Sequence, residues 1–512
     1  ADGLLKPHIP MSVVDEMIAG MDLSVLYGEK FGYQYPMRLR HFLRAIVLAT
    51  ASFSEAHEAN KDNGVLVQLA SSYFHGLRYV LQPAKRADRV TKQYTSKDIS
   101  FVKSLWNLTE LPIATKFSVV VAAHLDVIRI IIIDCSAPLL VPRKPEHGGG
   151  EAVVSVGGED SDYPRYVGPD YVAPESIHVR LLSHKLLEGH ELSGEQAGPR
   201  MPWKGKAALP LSKTLIVHFH GGGFIAQSSA SHEIYLRDWA RALDAPIASV
   251  DYSLAPEHPF PVAADQCFYA YCWALKNSHV FGSTAEKVIC VGDSAGANLA
   301  LVVALRAIEE GVQPPDGVVA LYPALLVSLT PSPSRVLSLM DPLLPMGNLQ
   351  MIVSEYASGY LEAHPKNVED LKGAGPAEAP GMNARERKRL HHMSPLLAPD
   401  ALLRELPQTF VMASELDPLL DDSVSFVRRL ESLGRGGPEH SRLRVVPRLP
   451  HGWLNMYFIG DKTCLKASEE VIGWIREMMD KKVGGSGDKH SADKHAEAEA
   501  MWNPVESGHV ET

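Results

Sequence analysis

Cysteine is scarce in this chain. Five occur in 512 residues (Cys135, Cys267, Cys272, Cys290 and Cys464), odd in number, widely scattered and with no C-x-x-C pair. That usage excludes a disulfide-built framework, signals neither a zinc site nor a dithiol redox motif, and suits a reducing compartment. A dense basic run is also lacking. Fifty Lys plus Arg face 60 Asp plus Glu, for a net charge of −10, so nucleic acid, which needs clustered positive charge, is not an expected partner. There is no clean apolar run of membrane-spanning length. The most apolar stretch, Phe117 to Ile133, is broken by His124, Asp126 and Arg129, each costly in hydrocarbon, and is read as a buried helix. The opening Ala1-Asp2-Gly3 is not a charged-then-apolar leader, so no signal peptide is expected, and the missing Met leaves room for natural sequence upstream. With 46% hydrophobic and 21% charged residues, disorder throughout is excluded. The length suits two to four domains or one enlarged domain.

Texture divides the chain. Residues 1–145 read as mainly helical, with apolar residues at helical spacing in Met11–Ile18 and Leu39–Leu48. Pro142, Pro145, Gly148-Gly149-Gly150 and the acidic stretch Gly157–Asp162 punctuate a linker over 146–165. From 166 to 481, short β-branched runs alternate with amphipathic patterns: Leu215–Phe219, Pro246–Tyr252, Val288–Val291, Val318–Tyr322, Thr409–Ser414 and Leu443–Val446. Strands interleaved with helices imply an α/β fold, a mostly parallel central sheet flanked by helices. The polar stretch 362–389 reads as a surface insertion. Residues 482–512 read as a disordered tail, whose His490 and His495 are not taken as metal ligands. The aromatic run Phe268–Trp273 reads as a core helix.

The chemistry centres on Gly292-Asp293-Ser294-Ala295-Gly296, which fits G-x-S-x-G. The strand-like Lys287–Val291 leads into it and the apolar, helix-like Asn298–Leu305 follows. Strand, tight turn and helix are what a nucleophile elbow requires. A serine hydroxyl is a weak nucleophile, so a base and an orienting carboxylate must join it. His451, in Pro450-His451-Gly452 just after a late strand, is the expected base. Asp417, three residues beyond Thr409–Ser414, is the expected acid. Glu415 is the runner-up, and Asp421 and Asp422 are expected to cap or solvate the next helix. His220-Gly221-Gly222-Gly223 follows the strand Leu215–Phe219. There Gly222 and Gly223, joined by Ala295, can offer backbone N–H groups to an oxyanion, each worth about 3–4 kcal/mol. No G-K-[ST] or G-x-G-x-x-G loop competes with that reading, and the chemistry needs neither metal nor cofactor.

His220–Phe224, Asp251-Tyr252-Ser253-Leu254-Ala255-Pro256-Glu257 and Gly292–Gly296 together closely resemble the hormone-sensitive lipase family of α/β-hydrolases. Supporting runs are Leu337–Pro345, Met393–Asp400 and Asp417–Ser423. The resemblance implies an α/β-hydrolase fold with a helical N-terminal domain and a triad of Ser294, Asp417 and His451. It also implies Glu257 as a structural support of the site's loops. The activity it implies is that of an intracellular neutral lipase and esterase acting on lipid esters: acylglycerols and cholesteryl or retinyl esters. The setting is cytosolic, at a lipid-droplet surface or its coat protein, with a homodimer as a further possibility. Two alternatives stand beside it: a soluble carboxylesterase for short acyl chains, and a non-catalytic ligand-binding hydrolase fold. The Ser-rich regulatory insertion of mammalian members is missing between Leu344 and Met393, and the N-terminal part is shorter, so control by phosphorylation is not carried over.

Overall fold

The structure, a computed structural model, describes residues 27–28, 31–61, 63–157, 167, 171–190, 207–328, 332–337, 341–363 and 384–481. The expected helix at Met11–Ile18, the tail 482–512 and most of the expected surface insertion lie outside them. The flanks of that insertion are helical, at the end of Met346–Ala363 and in Ala384–Met393.

Among the described residues ten strands are formed in chain order: β1 (Val127–Asp134), β2 (Leu139–Pro142), β3 (Glu151–Val154), β4 (Ser176–Ser183), β5 (Ser212–Phe219), β6 (Ile247–Asp251), β7 (Ser283–Asp293), β8 (Gly317–Leu321), β9 (Gln408–Leu416) and β10 (Ser441–Pro450). β2 and β3 make a separate antiparallel hairpin. The other eight build one sheet in the order β1-β4-β6-β5-β7-β8-β9-β10. Neighbours from β6 to β10 run parallel, while β4 runs antiparallel to both β1 and β6. All six expected strands are present, and the fold is an α/β-hydrolase fold with a helical N-terminal region.

Both faces of the sheet are covered, so the central strands are apolar without interruption. In β7, Val288 and Cys290 enter one core, with Phe268 and Leu301, while Ile289 and Val291 enter the other, with Trp239 and Ile475. The first core packs helices Val262–Lys276 and Ala295–Glu309 against the sheet, and the second packs Ser229–Leu243 and Lys462–Asp480. Phe268–Tyr271 are buried in a helix, as the aromatic run suggests. Before the sheet come α1 (Met37–Ala59), α2 (Val65–Leu81), α3 (Pro83–Thr95), α4 (Ile99–Trp106) and α5 (Pro112–Val121). In α1, Leu39, Leu43, Val47 and Ala51 recur every four residues and bury together.

Two expectations fail here. Phe117–Ile133 is not one buried helix: α5 ends at Val121 with Val120 exposed, and the rest becomes β1 at the sheet's edge. Four consecutive β-branched isoleucines favour the strand, and the terminal nitrogens of Arg129 donate to the carbonyls of His190 (2.7 Å) and Val280 (3.0 Å). Nor is 146–165 wholly a linker, because β3 pairs with β2 across Leu139↔Val154. Among the described residues, no helix is long and apolar enough to cross a membrane.

Candidate active site

The order of the strands fixes where chemistry can occur. The chain passes from β5 to β6 on one side, then returns to place β7 on the other side of β5. That reversal opens a crevice at the carboxyl ends of β5 and β7, the position where open α/β sheets bind ligands. The glycine loop leaves β5 at this crevice, and Ser294 leaves β7.

Ser294 stands between β7 and helix α8 (Ala295–Glu309), after α6 (Ser229–Leu243) and α7 (Val262–Lys276), with φ 56° and ψ −119°. This is a strained setting for a residue with a side chain, and such strain concentrates at functional turns. The turn is held by Ser294 N–H donating to Leu321 O (2.8 Å). The flanking glycines are there for space. A Cβ on Gly292 would run into the Gly296 carbonyl, and one on Gly296 into the Phe219 carbonyl.

His451 follows β10 and Asp417 follows β9. The three side chains form one hydrogen-bonded line: Ser294 Oγ lies 2.8 Å from His451 Nε2, and His451 Nδ1 lies 2.8 Å from Asp417 Oδ2. All three are buried, with Ser294 8% exposed and Asp417 2%. Burial works to lower the His451 pKa, but the charge and hydrogen bond of Asp417, with Asp341 and Asp293 beyond, outweigh it and raise it above the ordinary value. The runner-up Glu415 turns elsewhere, accepting from Arg448 N–H (2.8 Å). Asp421 and Asp422 do more than cap or solvate their helix. Asp422 is buried and pairs with Arg335 (2.8 Å), and Asp421 accepts from Ser334 N–H (2.8 Å).

The second residue of the elbow, Asp293, anchors the glycine loop. Its carboxylate accepts from Gly221 N–H (3.1 Å) and Tyr235 OH (3.1 Å), and His232 Nε2 lies 3.4 Å away. Burial opposes its charge, yet His232, His218 and Tyr235 hold its carboxyl below the usual range. His220 is buried and stacks on Tyr252 at 4.2 Å, and burial takes its pKa down to about 4. Gly222 has φ 107°, a conformation that L side chains rarely adopt. Among the described residues, the N–H groups of Gly222, Gly223 and Ala295 donate to no protein acceptor, and all three residues line the same cavity as Ser294 and His451.

That cavity has a volume of about 330 Å³ and is largely apolar. Phe42 and Ile46 of α1 and Leu105 and Trp106 of α4 form part of its wall, together with Ile352 and Tyr356 of the helix Met346–Ala363. The N-terminal helices therefore stand over Ser294. Polar contacts fasten them there. Gln227 N–H donates to Asn107 Oδ1 (2.8 Å), Ser228 Oγ to Glu110 (2.7 Å), and Lys103 Nζ to Glu257 (2.6 Å). Glu257 thus ties its loop to α4.

Reading the sequence missed Asp341, which is buried beside His451 and accepts its backbone N–H (3.0 Å). A signal was there: Asp341-Pro342-Leu343-Leu344 repeats the tetrapeptide Asp417-Pro418-Leu419-Leu420.

Comparison with known proteins agrees with this architecture. The family described as "Hormone-sensitive lipase (HSL) N-terminus" matches residues 6–191, and the one described as "alpha/beta hydrolase fold" matches residues 216–455. The chain is 31% identical to hormone-sensitive lipase of Homo sapiens, over 90% of this chain and 55% of that protein. It is also 31% identical to hormone-sensitive lipase of Bos taurus, over 84% and 74% respectively. It thus spans about half the length of the human relative. In fold it is similar to a hyperthermophilic esterase from the archaeon Pyrobaculum calidifontis, with a TM-score of 0.51 at 21% identity, covering 77% of this chain and 97% of that one. The chain belongs to the hormone-sensitive lipase family of α/β-hydrolases, a family of carboxylic-ester hydrolases.

Proposed function

We propose that this protein hydrolyses lipid esters through Ser294, His451 and Asp417. The observation that carries the reading is the unbroken hydrogen-bonded line from Asp417 through His451 to Ser294, ending in an apolar cavity. Ser294 Oγ attacks the ester carbonyl carbon while His451 Nε2 takes its proton. Asp417 orients the ring and stabilises its charged form. The carbonyl oxygen, now negative, is received by the N–H groups of Gly222, Gly223 and Ala295. The C–O bond to the alcohol breaks, and the alcohol leaves with the proton from His451. Water, deprotonated by the same ring, then attacks the acyl-enzyme and releases the carboxylic acid.

The substrates we favour are acylglycerols, diacylglycerol before mono- and triacylglycerol, and cholesteryl or retinyl esters. The apolar wall supports this choice, since a small-molecule site of roughly 300–1,000 Å³ gains affinity mainly by burying apolar surface. We place the protein in the cytosol at a lipid-droplet surface, held there by apolar contact or by a coat protein, and we keep a homodimer within the same reading. The exposed apolar residues of α2 and α5, among them Phe74, Leu77 and Val120, support contact with an apolar partner. Five buried, unpaired cysteines suit a reducing compartment.

Ser294→Ala is expected to lower ester hydrolysis by about 10⁴-fold or more without loss of fold, and an active Ser294→Ala protein would refute the mechanism. Rates measured across short and long acyl chains, dissolved and emulsified, test the substrate class. Preference for dissolved short chains would make the protein a carboxylesterase instead.

A further inference from the structure

Two copies of one tetrapeptide flank His451. In Asp417-Pro418-Leu419-Leu420, Asp417 Oδ1 accepts the N–H of Leu419 two residues on (2.8 Å), and Oδ2 is left for the imidazole Nδ1 (2.8 Å). In Asp341-Pro342-Leu343-Leu344, Asp341 Oδ1 accepts the N–H groups of Leu343 (2.8 Å) and Leu344 (3.1 Å), and Oδ2 is left for the backbone N–H of His451 (3.0 Å). In each, an aspartate closes a turn with one oxygen and presents the other to the same histidine. One carboxylate holds the ring and the other holds the main chain that carries it.

The second turn also connects the histidine to the cavity and to the N-terminal helices. Leu343 and Leu344 line the cavity, and the Pro342 carbonyl accepts the Tyr94 hydroxyl of α3 at 2.7 Å. We propose that Asp341 is a positioning residue for the reaction, fixing the backbone of His451 so that its ring stays in line between Asp417 and Ser294. The inference rests on the triad assigned above.

The titratable groups facing Asp341 are His451 and Asp417, from the loops after β10 and β9, and the hydroxyls of Tyr27, Tyr35 and Tyr94, from the N-terminal part. Burial pushes its carboxyl up to about 6, although His451 and the N–H groups it accepts work the other way. Below that pH, Asp341 takes a proton and its hold on the His451 N–H weakens. Activity therefore needs two groups deprotonated, the His451 ring and Asp341.

Asp341→Asn tests this. The amide keeps an oxygen for Leu343 and Leu344 but turns an NH₂ group toward the His451 N–H. We expect kcat to fall by about tenfold or more with KM within about twofold, since small misplacements of a catalytic group cost rate rather than binding. The melting temperature should stay near wild type, and the acid limb of kcat should lose one of its two protons. A folded Asp341→Asn protein with kcat within twofold of wild type, or with an acid limb that keeps both protons, overturns the inference. If the variant does not fold, the wild-type enzyme decides. Its rate of labelling by a serine-directed phosphonate should fall with a two-proton slope below about pH 6, and a one-proton slope overturns the proposal. The Ser294→Ala control separates the two levels. Activity in that variant refutes the triad itself, whereas an inactive Ser294→Ala beside an unaffected Asp341→Asn refutes only the role of Asp341.

Discussion

At the scale of single residues, the site depends on charge held in place and on atoms that are absent. In the proposed mechanism His451 must be neutral to accept the proton of Ser294, and its carboxylate neighbours raise its pKa. The sign follows directly: the raised value keeps the ring protonated to higher pH than a free histidine, so activity is lost as pH falls through a point above 6.5. A pH profile of kcat/KM with its acid limb centred below 6 would contradict this electrostatic reading. Gly296→Ala should abolish folding, because the new methyl group would occupy the place of the Phe219 carbonyl; soluble yield and circular dichroism report it. These residues are legible in sequence because the elbow is local, with strand, turn and helix contiguous in the chain. Asp417 and His451 are legible because each must follow a strand. Asp341 is harder to read, since it acts through a backbone N–H 110 residues away, and a contact to main chain leaves no trace in the type of its partner.

Among the elements, the strands read well because a parallel sheet buried on both sides demands continuous β-branched runs. The four strands β1 to β4 escaped, and β1 and β3 did so for different reasons. β1 sits at the sheet's edge, where Ile130–Ile132 are only partly covered or exposed, and an unbroken apolar run does not by itself separate strand from helix. β3 is four residues long and lies in glycine-rich surroundings that imitate a linker. The return helix α11 (Ala384–Met393, following α9, Pro333–Leu337, and α10, Met346–Ala363) is fastened to α8 by a device no periodicity reveals. Glu309 accepts from His391 Nε2 (2.7 Å) and His392 Nε2 (2.6 Å). Burial opposes the charge on Glu309, but the two histidines hold its pKa well down. Glu309→Ala should therefore destabilise the fold by about 3–6 kcal/mol, the loss of two hydrogen bonds to a charged group, as read by urea unfolding. For α4, we expect Trp106→Ala to lower kcat/KM for long acyl chains by about tenfold while sparing short ones, since the indole forms part of the cavity wall. Equal losses for both chain lengths would remove Trp106 from the acyl-binding surface.

Over the whole molecule, burial has trapped several histidines in the neutral state. His190 and His220 are pushed down to about 4, and His218 and His392 to about 3, in each case chiefly by desolvation. In the unfolded chain each takes a proton near pH 6.5. Stability therefore rises with pH between about 4 and 6.5 and is lost as pH falls through that window. His232 and His451, whose values are raised, add no slope below 6.5, since both folded and unfolded states hold those protons there. Asp341, whose carboxyl is pushed up to about 6, works the other way over part of this window, so the four histidines set the direction of the slope against that one opposing group. Urea midpoints measured from pH 7 to 4.5 should fall sharply, and a flat series would mean that these histidines are not neutral in the folded state.

Membership of β1 in the main sheet bears on how this enzyme can be cut and recombined. The segment before residue 145 supplies both an edge strand and part of the wall over Ser294, so the hydrolase part is not a removable cassette. A fragment starting at 166 would leave the whole length of β4 with unpaired N–H and C=O groups along one side, a template for sticking to its own copies. Grafting experiments that exchange acyl preference between relatives should therefore carry the helices and β1 across together, with the crossover placed beyond β4.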